Sequence, residues 1–272
     1  MPPARALALA LLALCVAVPV ATAAAAPRKD LRASKEAAVA AVDRLRPELV
    51  SLSDQVWSFA ETALREARSA KLLADYAETQ GFRVERGVAG LPTAFVASYG
   101  DAPPVIGILG EYDALPGLSQ KAVPQRAALS DGAPGHGCGH NLFGAASLGA
   151  AVAIKELIAA GKLTGTIRYY GTPAEEAVGG KVYMVREGSF RDVDVALAWH
   201  PGTTTRADVH GGQAIVDTVV EFEGRTAHAA FDPWNGRSAV DALELLTHGL
   251  NMMREHVKPS VRIHYAIQKA GD

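Results

Sequence analysis

The run Pro104-Val105-Ile106-Gly107-Ile108-Leu109-Gly110, followed directly by Glu111-Tyr112-Asp113, sets the architecture. PVIGILG is apolar enough to be a buried central strand, and polar chemistry begins where it stops. The same layout recurs twice. GTIRYYG (165–171) leads through Thr172-Pro173-Ala174 to the pair Glu175-Glu176, and DVDVALAW (192–199) leads to His200. Helical patterns lie between these strands: a small-residue run, LFGAASLGAAVAIKELIAA (142–160), and GKVYMVREG (180–188). Alternating strand and helix predicts an α/β domain with a largely parallel sheet, whose ligand site lies beyond the carboxyl ends of the strands. Three strand ends then carry chemistry to one crevice.

Upstream, residues 34–78 read as helical, with Ser34 as N-cap and Gly81 as the stop. FRVER (82–86) and TAFVASY (93–99) read as short strands. Between Glu111 and Asn141 lies a stretch rich in Pro, Gly and Ser. A loop of about thirty residues is uncommon in a compact domain and usually functional.

Downstream of His210 the pattern changes. QAIVDTVVEFEG (213–224) alternates, SAVDALELLTHGLNMMREH (238–256) is amphipathic, and VRIHYAIQ (261–268) is strand-like. This predicts a β-α-β start to a second, α+β domain. The expected boundaries are 1–24, 25–210 and 211–272.

The first segment reads as an export leader. It has a positive start at Arg5, an apolar run over 6–20, and small-residue A-x-A cleavage positions near 21–26. The expected location is therefore periplasmic or secreted. Cys15 leaves with the leader, so Cys138 is the one thiol of the mature chain, and metal ligation or burial would protect it. The formal net charge of −2 shows no basic surplus, which argues against nucleic acid or an anionic membrane as the main partner.

Within the long loop, GHGCGHN (135–141) places Cys138 and His140 two residues apart. A thiolate and a neutral imidazole both suit zinc-like ions, and the glycines let the backbone curl; an ordinary glycine loop fits the same letters. Glu175 and Glu176 could divide metal binding and proton transfer, or be a solvated pair. Asp113 could cap its own turn or orient an imidazole, and His200 could be a core histidine. His228, in GRTAHAA (224–230), reads on its own as incidental, as do His136, His210, His248, His256 and His264.

Taken together, GEYDALPGL (110–118), GHGCGHNLFGAASLGAA (135–151), GTPAEE (171–176), AWHP (198–201) and GRTAHAAFDPWNGRSAVDA (224–242) resemble the M20 metallopeptidase family. Within it they are similar to the amidohydrolases typified by aminobenzoyl-glutamate utilisation protein B. The resemblance covers roughly residues 50–270 in family order.

It implies a zinc-exopeptidase-like catalytic domain with two divalent metal ions, Zn2+ or Mn2+. An inserted ferredoxin-like lid domain would also dimerise, with a second copy or with a related subunit. It implies Cys138, His140, Glu176 and His200 as metal ligands, Glu175 as general base, and Asp113 as the carboxylate behind a ligand. His228 would reach from a partner subunit toward the oxyanion. The implied substrate is a small N-acyl amino acid, with p-aminobenzoyl-glutamate the leading candidate. The alternatives are a dipeptidase or deacylase of other specificity, a non-catalytic subunit that keeps the fold, and a thiol hydrolase using Cys138 with His140, in which the adjacent glutamates have no role.

Two departures accompany the resemblance. Many family members have a histidine where this chain has Glu111, and the family's last histidine ligand would lie beyond Asp272. Only the first half of the lid is expected within these residues, and the chain alone is expected to be inactive.

Overall fold

The computed structural model describes residues 31–207 and 212–271, in two compact units that divide after Thr205. The expected leader lies outside the described residues, as does His210.

In the first unit the helical pattern of 34–78 is split. α1 runs Arg32–Phe59, α2 runs Ala67–Thr79, and Ala60 closes α1 in a left-handed conformation with its N–H on the Val56 carbonyl. The linker between them caps the second helix. Glu61 accepts hydrogen bonds from the Arg68 and Ser69 N–H groups, which are orphan donors at the start of α2. β1 (Arg83–Arg86), β2 (Phe95–Tyr99), β3 (Val105–Gly110), α3 (His140–Ala159), β4 (Thr166–Gly171), α4 (Gly180–Arg186) and β5 (Val195–Leu197) follow.

The sheet order is β1-β2-β4-β3-β5. β4, β3 and β5 are parallel, whereas β1 pairs β2, and β2 pairs β4, antiparallel. The sheet is therefore mixed, and its parallel half carries the three strand ends singled out in the sequence. Short chain segments between β1 and β2 leave no room for a crossover, so that side is antiparallel.

The period-two side chains divide between two cores. Phe95, Ala97, Ile108, Ile167 and Tyr169 face α1, α2 and α3, packed with Leu45, Leu52, Val56, Leu73, Leu148 and Val152. Tyr170, Val96 and Leu109 face the other way, against Met184 of α4, Phe190 and Val193. α3 is long and apolar enough to cross a membrane by length and composition, but here it is a core helix packed on α1, β3 and β4. Its small residues serve close approach: a Cβ on Gly144 would lie 2.7 Å from the Glu111 carbonyl oxygen. Helix and strand end can meet there only without a side chain.

In the second unit α5 (Ala239–Met253) forms as expected, with the Ser238 side chain accepting from the Asp241 N–H. The flanking strands do not. Residues 213–224 and 261–268 carry no strand ladder, and Ile215 and Val216 are 90% and 89% exposed. Alternation supplies an apolar face, but a strand exists only where a neighbour completes its hydrogen bonds, and none does among the described residues.

Candidate metal centre

The parallel strands deliver their ends to one side. Glu111 and Asp113 follow β3, Glu175 and Glu176 follow β4, and His200 follows β5. The ends are tied together: Thr172 donates from both its N–H and its hydroxyl to the Gly110 carbonyl, at 2.9 and 3.1 Å. Cys138 and His140 arrive from the opposite direction. His140 is the first residue of α3, two residues earlier than the pattern predicts, and Gly139 before it turns at φ +85. Pro201 lies where a Cβ on Gly139 would go, so only glycine fits this turn.

His140 is at the centre and fully buried. Its Nδ1 is 2.8 Å from Asp113 Oδ1, while Asp113 Oδ2 accepts the Glu176 N–H at 2.9 Å. With Nδ1 engaged, Nε2 faces the other donors: Glu111 Oε2 lies 2.8 Å away and Glu175 Oε2 4.0 Å. His200 is fixed in the same manner, with Nδ1 donating to the Pro201 carbonyl at 3.0 Å and Nε2 3.2 Å from Cys138 Sγ. Trp199 holds this strand end on α3 through a 3.0 Å hydrogen bond to Ser147 Oγ. Two groups of donors within 4.8 Å result, Cys138-His140-His200 and Glu111-His140-Glu175.

Glu176, expected as a ligand, is in neither tight group; its Oε1 lies 3.9 Å from His140 Nδ1. That atom is nevertheless buried without a hydrogen-bond partner, as is His140 Nε2, which approaches Glu111 without hydrogen-bond alignment. Orphaned buried donors and acceptors are rare, and a cation would satisfy both.

The electrostatics agree. Burial pulls the His140 pKa down, but the carboxylates of Asp113 and Glu111 beside the ring outweigh it and raise it to about 10. The field that holds a proton there favours any cation. Burial, with Glu176, Glu175 and Glu111 beside it, pushes the Cys138 thiol up to about 12. A bare thiol in that setting is a poor nucleophile, whereas a coordinating cation would deprotonate it. Burial and the neighbouring Glu111 also raise the Glu175 carboxyl above its ordinary value, which makes it a stronger base. Soft sulfur, imidazole and carboxylate together fit zinc-like or manganese-like ions.

Residues 107–265 match the peptidase family M20/M25/M40. The chain belongs to this family. Over 85% of its length it is 45% identical to a subunit of the p-aminobenzoyl-glutamate hydrolase of Escherichia coli (strain K12), covering 48% of that protein. It is 34% identical to the Xaa-Arg dipeptidase of Mus musculus, over 89% of this chain and 55% of that one. Among solved structures it is similar to a dinuclear metal binding peptidase of the M20 family from Bacillus subtilis. That match has a TM-score of 0.52 and 26% identity, over 59% of this chain and 44% of that one. The chain spans about half the length of the curated relatives it matches.

Several site residues of this M20 chain carry no sequence signal. Glu66 is fully buried and its carboxylate accepts the Ala174 N–H at 2.8 Å, fixing the turn into Glu175, where Ala174 has φ +59. Lys181 pairs with Glu111. His136 anchors the glycine loop, its Nε2 3.1 Å from the Val56 carbonyl, and burial lowers its pKa to about 4, so the ring is neutral. In the second unit, His228 Nδ1 accepts from the Ala230 and Phe231 N–H groups at 3.2 and 3.1 Å. With Nδ1 accepting, Nε2 is the nitrogen left to donate.

Proposed function

We propose that this chain carries the metal-dependent catalytic apparatus of an amidohydrolase that cleaves N-acyl amino acids. A p-aminobenzoyl-glutamate-like amide is its first candidate substrate. The observation that carries this reading is the position of Glu175, whose Oε2 stands 4.0 Å from the metal-facing nitrogen of His140, in a cluster that holds two orphaned buried atoms.

Cys138, His140 and His200 would hold one divalent ion, with Glu176 turning its unpartnered oxygen toward the pair. Two bound ions, Zn2+ or Mn2+, would supply carbonyl polarisation and acidified water. Glu175 takes the proton from the attacking water and passes it to the leaving nitrogen. Asp113 holds His140 in the tautomer that presents Nε2. His228, with its proton on Nε2, offers a donor to the developing oxyanion, from a partner subunit in a homodimer or with a related chain. Export after removal of residues 1–24 belongs to the same reading.

The mouse relative keeps a dipeptidase reading open, so the test is a hydrolysis panel. The metal-loaded protein is offered p-aminobenzoyl-glutamate, other N-acyl amino acids and Xaa-Arg dipeptides. Turnover of an acyl amino acid that a chelator abolishes and zinc or manganese restores supports the proposal. Cleavage confined to dipeptides assigns the second specificity. Bound metal with no turnover of any substrate by the full-length protein, partner subunit present, identifies a non-catalytic subunit.

A further inference from the structure

Glu111 follows β3 and its side chain is 8% exposed, yet its two oxygens face different partners. Oε1 meets the Lys181 ammonium, presented by the second residue of α4. Oε2 stands 2.8 Å from His140 Nε2, an atom that is buried and has no hydrogen-bond partner. The two atoms form an ion pair when the ring is protonated, but outside the alignment of a hydrogen bond.

It does match another geometry. Two donors on one ion, each about 2.0–2.2 Å from it at tetrahedral to right angles, lie about 2.8–3.6 Å apart. Cys138 Sγ and His200 Nε2, at 3.2 Å, show the same spacing. Glu175 Oε2, at 4.0 Å from Nε2, is farther out, as suits a group that moves protons.

We propose that Glu111 is itself a metal ligand, through Oε2, for the ion held by His140, and that Lys181 is its positioning residue. This rests on the metal-binding reading above. Glu111, Asp113, Glu175 and Glu176 crowd the site with negative charge, and Lys181 is the cation that touches Glu111. By occupying Oε1, the ammonium keeps the carboxylate one-toothed and turned toward Nε2. It also offsets part of the repulsion that a ligand carboxylate would otherwise add beside Glu175. A carboxylate here makes a harder donor set than imidazole would, which favours oxygen-preferring ions such as Mn2+ at this position.

The test uses the full chain, stripped of metal and titrated with Zn2+ or Mn2+ alone against a chromophoric chelator, with elemental analysis after dialysis. Glu111→Gln should lose one metal equivalent or weaken it at least tenfold. With Co2+ it should weaken or shift the d–d bands together with the thiolate charge-transfer band of Cys138, because Glu111 and Cys138 share the ion that His140 holds. Lys181→Met should weaken the same equivalent and Lys181→Arg should recover it. If the neutral side chain lowers the metal-free melting temperature, Glu111→Asp keeps the charge, shortens the reach, and should show the same loss of affinity. Unchanged stoichiometry, affinity and cobalt spectrum in Glu111→Gln would overturn the assignment while leaving the metal-binding reading intact. A wild-type chain that takes up no metal would overturn both.

Discussion

Asp113 joins two strand ends through one carboxylate: Oδ1 lies 2.8 Å from His140 Nδ1, and Oδ2 accepts the Glu176 N–H at 2.9 Å. The imidazole tautomer and the placement of the β4 turn therefore depend on the same side chain. Asp113→Asn keeps the shape but can offer Nδ1 only one amide face. Partners behind metal-binding histidines are typically worth about 10–100-fold in affinity, and a loss in that range is expected here. Metal titration with a competing chelator reads it; an unchanged Kd would reduce Asp113 to a turn residue.

Glu175→Gln should leave metal content as it is and lower kcat by about two orders of magnitude or more in the active enzyme, the usual scale of general-base catalysis. Steady-state kinetics beside elemental analysis separates the two effects. Near-normal turnover would take Glu175 out of the mechanism.

Cys138→Ser removes a sulfur 3.2 Å from His200 Nε2, one that a bound cation would hold as thiolate. Metal affinity should fall, because a hydroxyl at neutral pH is a far poorer ligand. Full metal content with abolished activity would instead favour a thiol nucleophile, against the raised proton affinity that burial and three carboxylates give this sulfur.

Glu61 caps α2 from a distance, and its loss should cost stability without touching the metal centre. Burial alone would raise its pKa, but hydrogen bonds from Ser69 and Arg68 outweigh it and hold the carboxyl below its ordinary value. With a lowered folded pKa, the unfolded chain binds the proton more tightly. The contribution is thus present above the unfolded value, near 4.5, and is lost as pH falls through the folded one. Glu61→Ala should cost about 1–2 kcal/mol near neutral pH, as loss of a capping group does. Denaturant melts at neutral and acid pH should show the difference from wild type shrinking toward the acid side.

The strand ends were legible because PVIGILG and GTIRYYG are apolar runs that stop at or just before carboxylates, and the spacing of Cys138 and His140 marked a candidate ligand pair within one loop. Glu66, Lys181 and His136 were not legible. Each acts on a residue far away in sequence, Ala174, Glu111 and Val56 respectively, and nothing local distinguishes them from other charged or aromatic residues. The same limit explains the second unit. Alternation over 213–224 specified an apolar face, but strand formation depended on a pairing partner outside the run.

By itself, then, the sequence determined the α/β order of elements, the strand ends that bear chemistry, and the donor types suited to a metal, since these follow from local hydrophobic period and side-chain chemistry. Tertiary structure alone decided that the sheet is mixed, that His140 opens α3 with Nδ1 on Asp113, and that Glu111 rather than Glu176 lies nearest Nε2. Those outcomes depend on the packing of α3 against β3 at Gly144 and on the register of β3 beside β4, which are contacts between segments far apart in the chain.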